Sequence, residues 1–531
     1  MAEINKNIIS RMWDKLTTKT EVVNQQTPQK QAWYVGGGTY RSFPISFNGE
    51  KNLGELGPMK NYTLDYESLR IRSWQSYTES EISKTVIDKV VKWMISKGLK
   101  LQSNPDKNVL KSEGISINTE EFNTLTEARF GVWAKSKMSS YTGMCNLHEI
   151  AKETYKNSKI GGDALIILRL VNDILKVELK DGAHLQSPVY GTDYSPNKLT
   201  NGNFIRHGIE MDAKGQHIAY WLRKEDLSFE RIEAISSSTG LKQAFLVYGS
   251  KFRIDNHRGM PMIGVVLETI KKLERYKEAT VGSAEERQKI AYQIVHQNFS
   301  TGESPLVANM ARAMNIDSDN EDLPKDINME ELANTVAATT NKMTYNMPIG
   351  AELKALESKN ELFFKEFYNT NSDIICGAAD IPPNVAFSIY NDSFSASRAA
   401  TKDWEHTISV NREDFSAQFY QEIYNYWLHV EILKNKIPSN GYLQAFYKDN
   451  IMALEAFRNA RFTGPMFPHI DPLKEVNAER AKLGDLAKDI PLTTVEAATE
   501  ALNGGDSASN LEQFIEELKS AKPLMNQNIP A

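Results

Sequence analysis

ELFFKEFYNTNSDIICGAADIPPNVAFSIYNDSFSASRAATKDWEHTISVNREDFSAQFYQEIYNYWLHVEILK, residues 361–434, is the stretch whose reading decides the architecture. It reads as helix, double-proline loop, long helix. Phe363, Phe367, Ile374 and Ala378 recur at a spacing that gathers them into one apolar stripe of the first helix. Pro382 and Pro383 cannot prolong that helix, because each lacks a backbone N–H and clashes with the preceding turn. Ser393 or Ser395 can cap a second helix of roughly forty residues. Two long helices joined by a constrained loop carry that loop to a fixed place, and the rest of the chain reads as its support.

The chain has 531 residues, enough for a large core and several domains. With 62 basic and 68 acidic residues its net charge is −6, which argues against a protein that reads DNA sequence through a basic face. Two cysteines, Cys145 and Cys376, are too few for a disulfide framework or a cysteine metal site, so a reducing compartment is expected. The first thirty residues lack the apolar core of a signal peptide. The longest apolar runs, 164–168 and 244–248, are too short to span a bilayer. A soluble protein with no membrane partner is expected.

Taken in order, residues 1–60 are polar and carry the triplet Gly36-Gly37-Gly38 without the Gly-Lys-Ser/Thr of a phosphate loop; a flexible arm is expected. A helical block begins at YESLRIRSWQSY, where Arg70 and Arg72 read as a solvated face or a salt bridge. It continues to Gly98, with Ile82, Val86, Val90 and Trp93 as its stripe and Gly98 as a left-handed stop. A helix from Asn146 precedes the buried strand GGDALIILRLV, where Asp163 reads as a turn residue rather than a catalytic acid. Strand ILKVELK follows, then a hairpin turning at Asp212–Gly215. This makes an α+β block over about 61–258. From Pro261 a helix is expected along Ile263, Val266, Leu267, Ile270, Leu273 and Tyr276, its pattern reaching towards Ile294.

Residues 299–358 hold ten acids against four bases, a net −6 equal to that of the whole chain. Asp317, Asp319, Glu321, Asp322 and Asp326 lie there, in a run that partly matches a calcium loop but lacks its central glycine and closing glutamate. A solvated acidic loop is expected, with no metal. After the central helices, 436–531 shows a Pro/Gly-marked stretch, two modest helical patterns and a tail from Lys522 that reads as disordered.

No catalytic constellation stands out. There is no G-x-S-x-G elbow and no P-loop. His148-Glu149 is followed by Lys152 where a zinc helix needs histidine. The acidic cluster at 317–326 leaves open a metal-dependent enzyme acting on nucleic acid. A monomeric scaffold is a further possibility. Otherwise the weight falls on a non-enzymatic, structural role without cofactor.

The sequence resembles bacteriophage portal proteins of the lambda type, over about residues 60–515 and in the family's order. LRIRSWQSY resembles an early L-R-x-R-S segment. Gly208–Trp221 matches the hairpin G-I-E-x-D-x-x-G-x-x-x-A-Y-W. Arg258, Gly259 and Pro261 match R-G-x-P, and Leu273, Tyr276, Glu278 and Ala279 match L-x-x-Y-x-E-A. Ile374, Ile375, Gly377, Ile381 and Pro382 resemble the apolar helix running into Ile-Pro. Ser393–Ala399 resembles the Ser/Ala/Arg-rich segment after it, and Ile470–Ala478 meets I-D-P-x-K-E-x-x-A. A late G-x-x-T appears as Pro491-Leu492-Thr493-Thr494, without the glycine, which leaves the fold of 480–531 open.

The resemblance implies an α+β portal fold with a mixed α/β wing, a long helical stem, a small α/β clip and a mainly helical crown. Residues 1–60 would be an N-terminal arm, and 61–258 the wing, joined by a long returning helix at 395–435. The stem helices would be 259–298 and 359–381, the clip 299–358, and the crown and tail 436–531. The remaining segment, 382–394, would be a tunnel loop, with Pro382, Pro383, Asn384, Val385, Phe387, Tyr390, Asn391 and Asp392 facing DNA. The implied assembly is a homo-oligomeric ring, usually a dodecamer, at one capsid vertex of the virion, formed in the host cytoplasm. Its implied partners are the major capsid protein, the terminase large subunit, head–tail connector or adaptor proteins and double-stranded DNA passing non-specifically. PPNVAFSIYNDSF contains no base, and Asp392 is its one charge. That suits a conduit, because a cation at each phosphate would hold the polyanion in place.

Overall fold

The computed structural model describes residues 66–188, 197–198, 202–251, 253–254, 256–289, 293–296, 351–354, 364–389, 394–465, 472–484, 491–503, 505 and 507–525. The expected N-terminal arm and the acidic residues Asp317, Asp319, Glu321, Asp322 and Asp326 lie outside them. Two compact units are distinguished. One is formed by residues up to 272 and from 370 onward, and the other is Leu273–Asn369.

In the first unit, helices α1 (Tyr66–Glu79) and α2 (Glu81–Ile95) meet at Ser80. Ile82, Val86 and Val90 are buried as their spacing predicts, while Trp93 is half-buried against Trp404. Gly98 takes the expected left-handed conformation (φ 103°). Strand β1 (Lys100–Ser103), short helix α3 (Lys107–Ser112), α4 (Thr119–Lys135) and α5 (Leu147–Gly161) follow. His148-Glu149 sits in the first turn of α5. There Glu149 and Asn146 form a reciprocal capping box, which is the structural use of that acid.

Beyond α5 comes β2 (Asp163–Val171), whose first six residues are buried on both faces. It is the centre of an antiparallel sheet ordered β3-β2-β9, with β3 at Ile174–Asp181 and β9 at Ala244–Tyr248. A five-stranded meander lies between them in sequence: β4 (Asn197–Lys198), β5 (Phe204–Arg206), β6 (Ile209–Met211), β7 (His217–Arg223) and β8 (Phe229–Glu233). Leu165, Ile167 and Leu246 from the first sheet share one core with Ile209, Met211, Tyr220, Leu222 and Ile232 from the second. The hairpin turns where expected: the Asp212 carboxylate accepts from Lys214 N–H and Gln216 N–H, and Gly215 has φ 87°.

The helix expected from Pro261 begins later. A turn and a short 3₁₀ segment (Gly264–Val266) precede α6 (Leu267–Lys289), although Ile263, Val266, Leu267, Ile270 and Leu273 are all buried as predicted. Nor does the helix reach Ile294. That residue lies in β10 (Gln293–His296), paired antiparallel with β11 (Ala351–Lys354). Period-2 and period-3.6 patterns are indistinct in so short a run, and pairing with a distant strand decided it.

Helix α7 (Phe364–Ala378) exists as expected, but its predicted stripe is the wrong face. Phe363 is outside the described residues, while Phe367, Ile374 and Ala378 are exposed. Ser372, Ile375, Cys376 and Ala379 are buried instead. Both faces carry apolar residues at helical spacing, and packing selected the second. After a short helix α8 (Pro383–Phe387) come α9 (Phe394–Phe415), one π-helical turn at Ser416–Tyr420 and α10 (Gln421–Leu433). The forty-residue helix is therefore present with a π-turn inside it. Ser395 lies within α9 and so does not cap it; Ser393 is outside the described residues. Arg412 of α9 donates to Trp93 O (3.0 Å) and Met94 O (3.2 Å), closing the C-terminus of α2.

The expected boundary at 436 is no break in packing. Helices α11 (Tyr442–Tyr447) and α12 (Ile451–Arg458) lead to β12 (Ala460–Thr463), which pairs with β1. Phe457 packs on Phe122 and Tyr442, and Phe462 on Tyr420 and Tyr424, so 442–463 completes the same core. Helices α13 (Pro472–Leu483), α14 (Val495–Asn503) and α15 (Ser507–Met525) follow, more helix than the two patterns expected; α15 includes the first residues of the predicted tail.

Candidate DNA-channel segment and its support

The segment after α7 is built by two consecutive helix stops. Ile381 N–H donates to Cys376 O (3.1 Å) and Asp380 N–H to Gly377 O (3.3 Å), the paired bonds of a Schellman stop. Asp380 takes the left-handed position (φ 51°), which a short polar side chain tolerates better than a branched one. Ile381 and Cys376 are both buried, the apolar pair that accompanies such a stop.

Pro382 is then extended, and Pro383 occupies the first turn of α8. A missing N–H costs nothing there, and the fixed φ of proline suits a helix start. The double proline thus ends one helix and opens another, where the sequence was read as a loop throughout. Val385 and Ala386 are buried, and α8 lies against α2. Pro382, Pro383, Asn384 and Phe387 are half-buried, and Ser388 and Ile389 are exposed. Ser388 is left-handed (φ 57°), and Ile389 N–H returns to Asn384 O (3.0 Å). Tyr390, Asn391 and Asp392 lie outside the described residues.

The tertiary fold supplies a positive charge that the segment itself lacks. Lys89 of α2 donates from Nζ to Ser388 Oγ at 2.7 Å. The basic neighbour comes from nearly three hundred residues away in sequence, so no local pattern could announce it.

The same unit holds a buried ionic centre. Asp163, at the start of β2, is fully buried rather than a turn residue. Its Oδ2 accepts from Arg258 Nε (2.6 Å) and Gly259 N–H (3.0 Å). Its Oδ1 accepts from Arg258 Nη2 (2.8 Å) and Arg70 Nη2 (2.5 Å). Arg70 also reaches Asp181 (2.8 Å), and Arg258 donates to Gly182 O (2.6 Å) and His207 O (3.0 Å). Burial alone would raise the Asp163 pKa. The two guanidinium charges and these hydrogen bonds outweigh it and hold the carboxyl well below its ordinary range. Arg70 is therefore a buried salt-bridge residue and not a solvated one.

The neighbouring glycines make the approach possible. A Cβ on Gly259 would stand 1.9 Å from Gly162 O, and one on Gly162 would stand 2.4 Å from Gly259 O. Met262 N–H then donates to Lys159 O (2.8 Å) just ahead of α6. Arg258, Gly259 and Met262 thus fasten the start of the α6 segment to the end of α5 and the first residue of β2.

A second buried acid stands in the hairpin. Glu210 accepts from Arg231 (2.8 and 3.1 Å), Asn203 (2.8 Å) and Trp221 (3.1 Å). Burial raises its pKa, but these bonds bring it down to about 2. The glutamate and tryptophan of the G-I-E…A-Y-W pattern are therefore one hydrogen-bonded pair across β6 and β7.

Among the described residues no group of three or more His, Cys, Asp or Glu is arranged to hold a metal, and no helix is long and apolar enough to cross a membrane. The 317–326 cluster, on which the metal-enzyme reading depended, lies outside those residues.

The family model for phage portal proteins of the lambda family matches residues 52–412, which includes both Arg70 and Arg258, the hairpin and the double proline. The chain belongs to that family. It is a portal protein, a structural component of the capsid vertex. A search of curated proteins finds no match. Among solved structures the portal chain is similar to chains in three structures of gene transfer agent particles. They are the neck of the native particle with C12 symmetry (9% identity, 82% of this chain and 93% of that one, TM-score 0.44); the virion of the native particle (10%, 83% and 93%, 0.43); and the neck of the empty particle with C6 symmetry (10%, 86% and 97%, 0.45). These likenesses are distant, and the family assignment stands on the family model alone.

Proposed function

We propose that the portal chain forms a ring of twelve copies around a channel through which double-stranded DNA is packaged and later ejected. The observation that carries this reading is the segment from Ile381 to Ile389. It is fixed at its root by the Schellman stop, held against α2 through Val385 and Ala386, and leaves Ser388 and Ile389 exposed. With Tyr390, Asn391 and Asp392 it forms the constriction facing DNA. Its own residues include no base, and Lys89 brings a cation beside Ser388. A duplex can slide past so few phosphate contacts.

Residues 61–258, with their buried ionic centre, and the returning helix at 395–435 are the wing, which meets the major capsid protein. Residues 299–358 are the clip, whose acids Asp317, Asp319, Glu321, Asp322 and Asp326 face the terminase large subunit during packaging and head–tail connector proteins afterwards. Electrostatic complementarity would favour such an exchange of partners. The role is non-enzymatic.

The test is native mass spectrometry of the purified protein together with a photo-crosslinker at Ile389 in packaged particles. A closed ring of about twelve copies and an Ile389–DNA adduct are expected. A monomer that does not close even with its capsid partners, or rings whose Ile389 never reaches DNA, would reject the reading. Reversal of Asp317, Asp319, Glu321 and Asp322 to lysine should block packaging by rings that still form; normal packaging would remove the clip assignment.

A further inference from the structure

Among the described residues, a groove and a helix stripe leave large apolar side chains exposed, and the two are complementary. The first is a groove of about 510 Å³ between α4 and α10. Trp133, Leu175 and Trp427 line it, and Val132 and Met138 stand on its wall at 74% and 54% exposure. A monomer has no reason to leave a valine so open beside two tryptophans. Its rim is basic: Arg129 and Lys434 share a single acid, Glu431, and Lys135 and Lys137 are exposed nearby.

The second surface is α15. Every side chain from 510 to 519 is exposed, yet Leu511, Phe514, Ile515 and Leu518 recur at i, i+3, i+4 and i+7. Four large apolar residues on one stripe are the signature of a helix that lies in a groove. The stripe spans roughly 10 Å at the α-helical rise. It is flanked by Glu512, Glu516 and Glu517, the opposite sign to the groove rim. A helix that leaves its apolar stripe in water gains stability when that stripe is packed against a partner.

We propose that α15 of one copy lies in the α4–α10 groove of a second copy. Leu511, Phe514, Ile515 and Leu518 cover Val132, Trp133 and Met138, and the acidic flank faces Arg129 and Lys434. The contact is heterologous, since groove and helix are different surfaces, and a heterologous contact repeated with the right rotation closes a ring. The inference rests on the ring reading and adds to it which surfaces join the copies.

The test uses the full-length chain in a Cys145→Ser background, leaving the buried Cys376 in place. Val132→Cys and Phe514→Cys are put on separate, differently tagged chains, co-expressed and oxidised, and assembly is read by native mass spectrometry. A covalent species carrying both tags is expected. In addition, Phe514→Asp should lower ring formation about tenfold or more, the effect of losing an anchor of an interface.

Rings that assemble without the mixed crosslink would overturn the inference while leaving the ring itself standing; some other segment would then fill the groove. A crosslink that forms only when both substitutions share one chain would overturn it too, by making the contact internal. If the unsubstituted protein forms no ring even with its capsid partners, the ring reading fails and the inference falls with it.

Discussion

Arg258 grips both carboxylate oxygens of Asp163, at 2.6 and 2.8 Å, in a place where neither side chain is more than 5% exposed. A paired charge buried this way adds little net stability, but removing one partner strands the other in a medium that cannot solvate it. The pair joins the segment leading into α6 to the first residue of β2.

Arg258→Ala should therefore cost about 3–5 kcal/mol of unfolding free energy. Arg70→Ala should cost less, because Arg258 still neutralises Asp163. Urea titration followed by tryptophan fluorescence checks this; equal, sub-kilocalorie effects would show that the centre is wetter than the geometry implies.

Acid should weaken the first unit in two steps. His429 is buried and His217 and His257 are half-buried, and all three are lowered to about 4, with desolvation the main cause. Their unfolded forms bind protons first, so stability falls between pH 6.5 and about 4. Glu210, lowered to about 2 against an ordinary 4.5, contributes stability that is present above pH 4.5 and lost as pH falls towards 2. Thermal melts across this range should show His429→Gln flattening the upper step alone.

Two glycines separate close approach from mere flexibility. Gly259→Ala puts a methyl 1.9 Å from Gly162 O and should destabilise by more than about 2 kcal/mol. In α7, a Cβ on Gly377 meets nothing within 4 Å, so Gly377→Ala should be neutral or stabilise by about 0.5–1 kcal/mol. Differential scanning calorimetry of the two variants decides it.

Val385→Ala should loosen α8 from α2 at a cost of roughly 2 kcal/mol, the lost burial of two methyl groups plus a small cavity. Hydrogen exchange should then quicken at the Ala386 and Ile389 amides, whose acceptors are Pro382 O and Asn384 O. Unchanged exchange would mean that α8 holds itself without α2.

The sequence by itself determined the elements whose signals are local. The spacing of Ile263, Val266, Leu267 and Ile270, the Asp212–Gly215 turn, the left-handed Gly98 and the presence of a stop at Pro382 all follow from forces acting within a few residues, and all are found. Tertiary structure decided what depends on partners distant in the chain. It chose which of two apolar faces of α7 is buried, drew Ile294 into a strand and folded 442–463 into the core through β1 and β12. It also turned Asp163 from a turn residue into the anchor of two arginines. A burial preference is written in each residue, but a charge finds its counter-charge only when strands and helices far apart in sequence are brought within 3 Å.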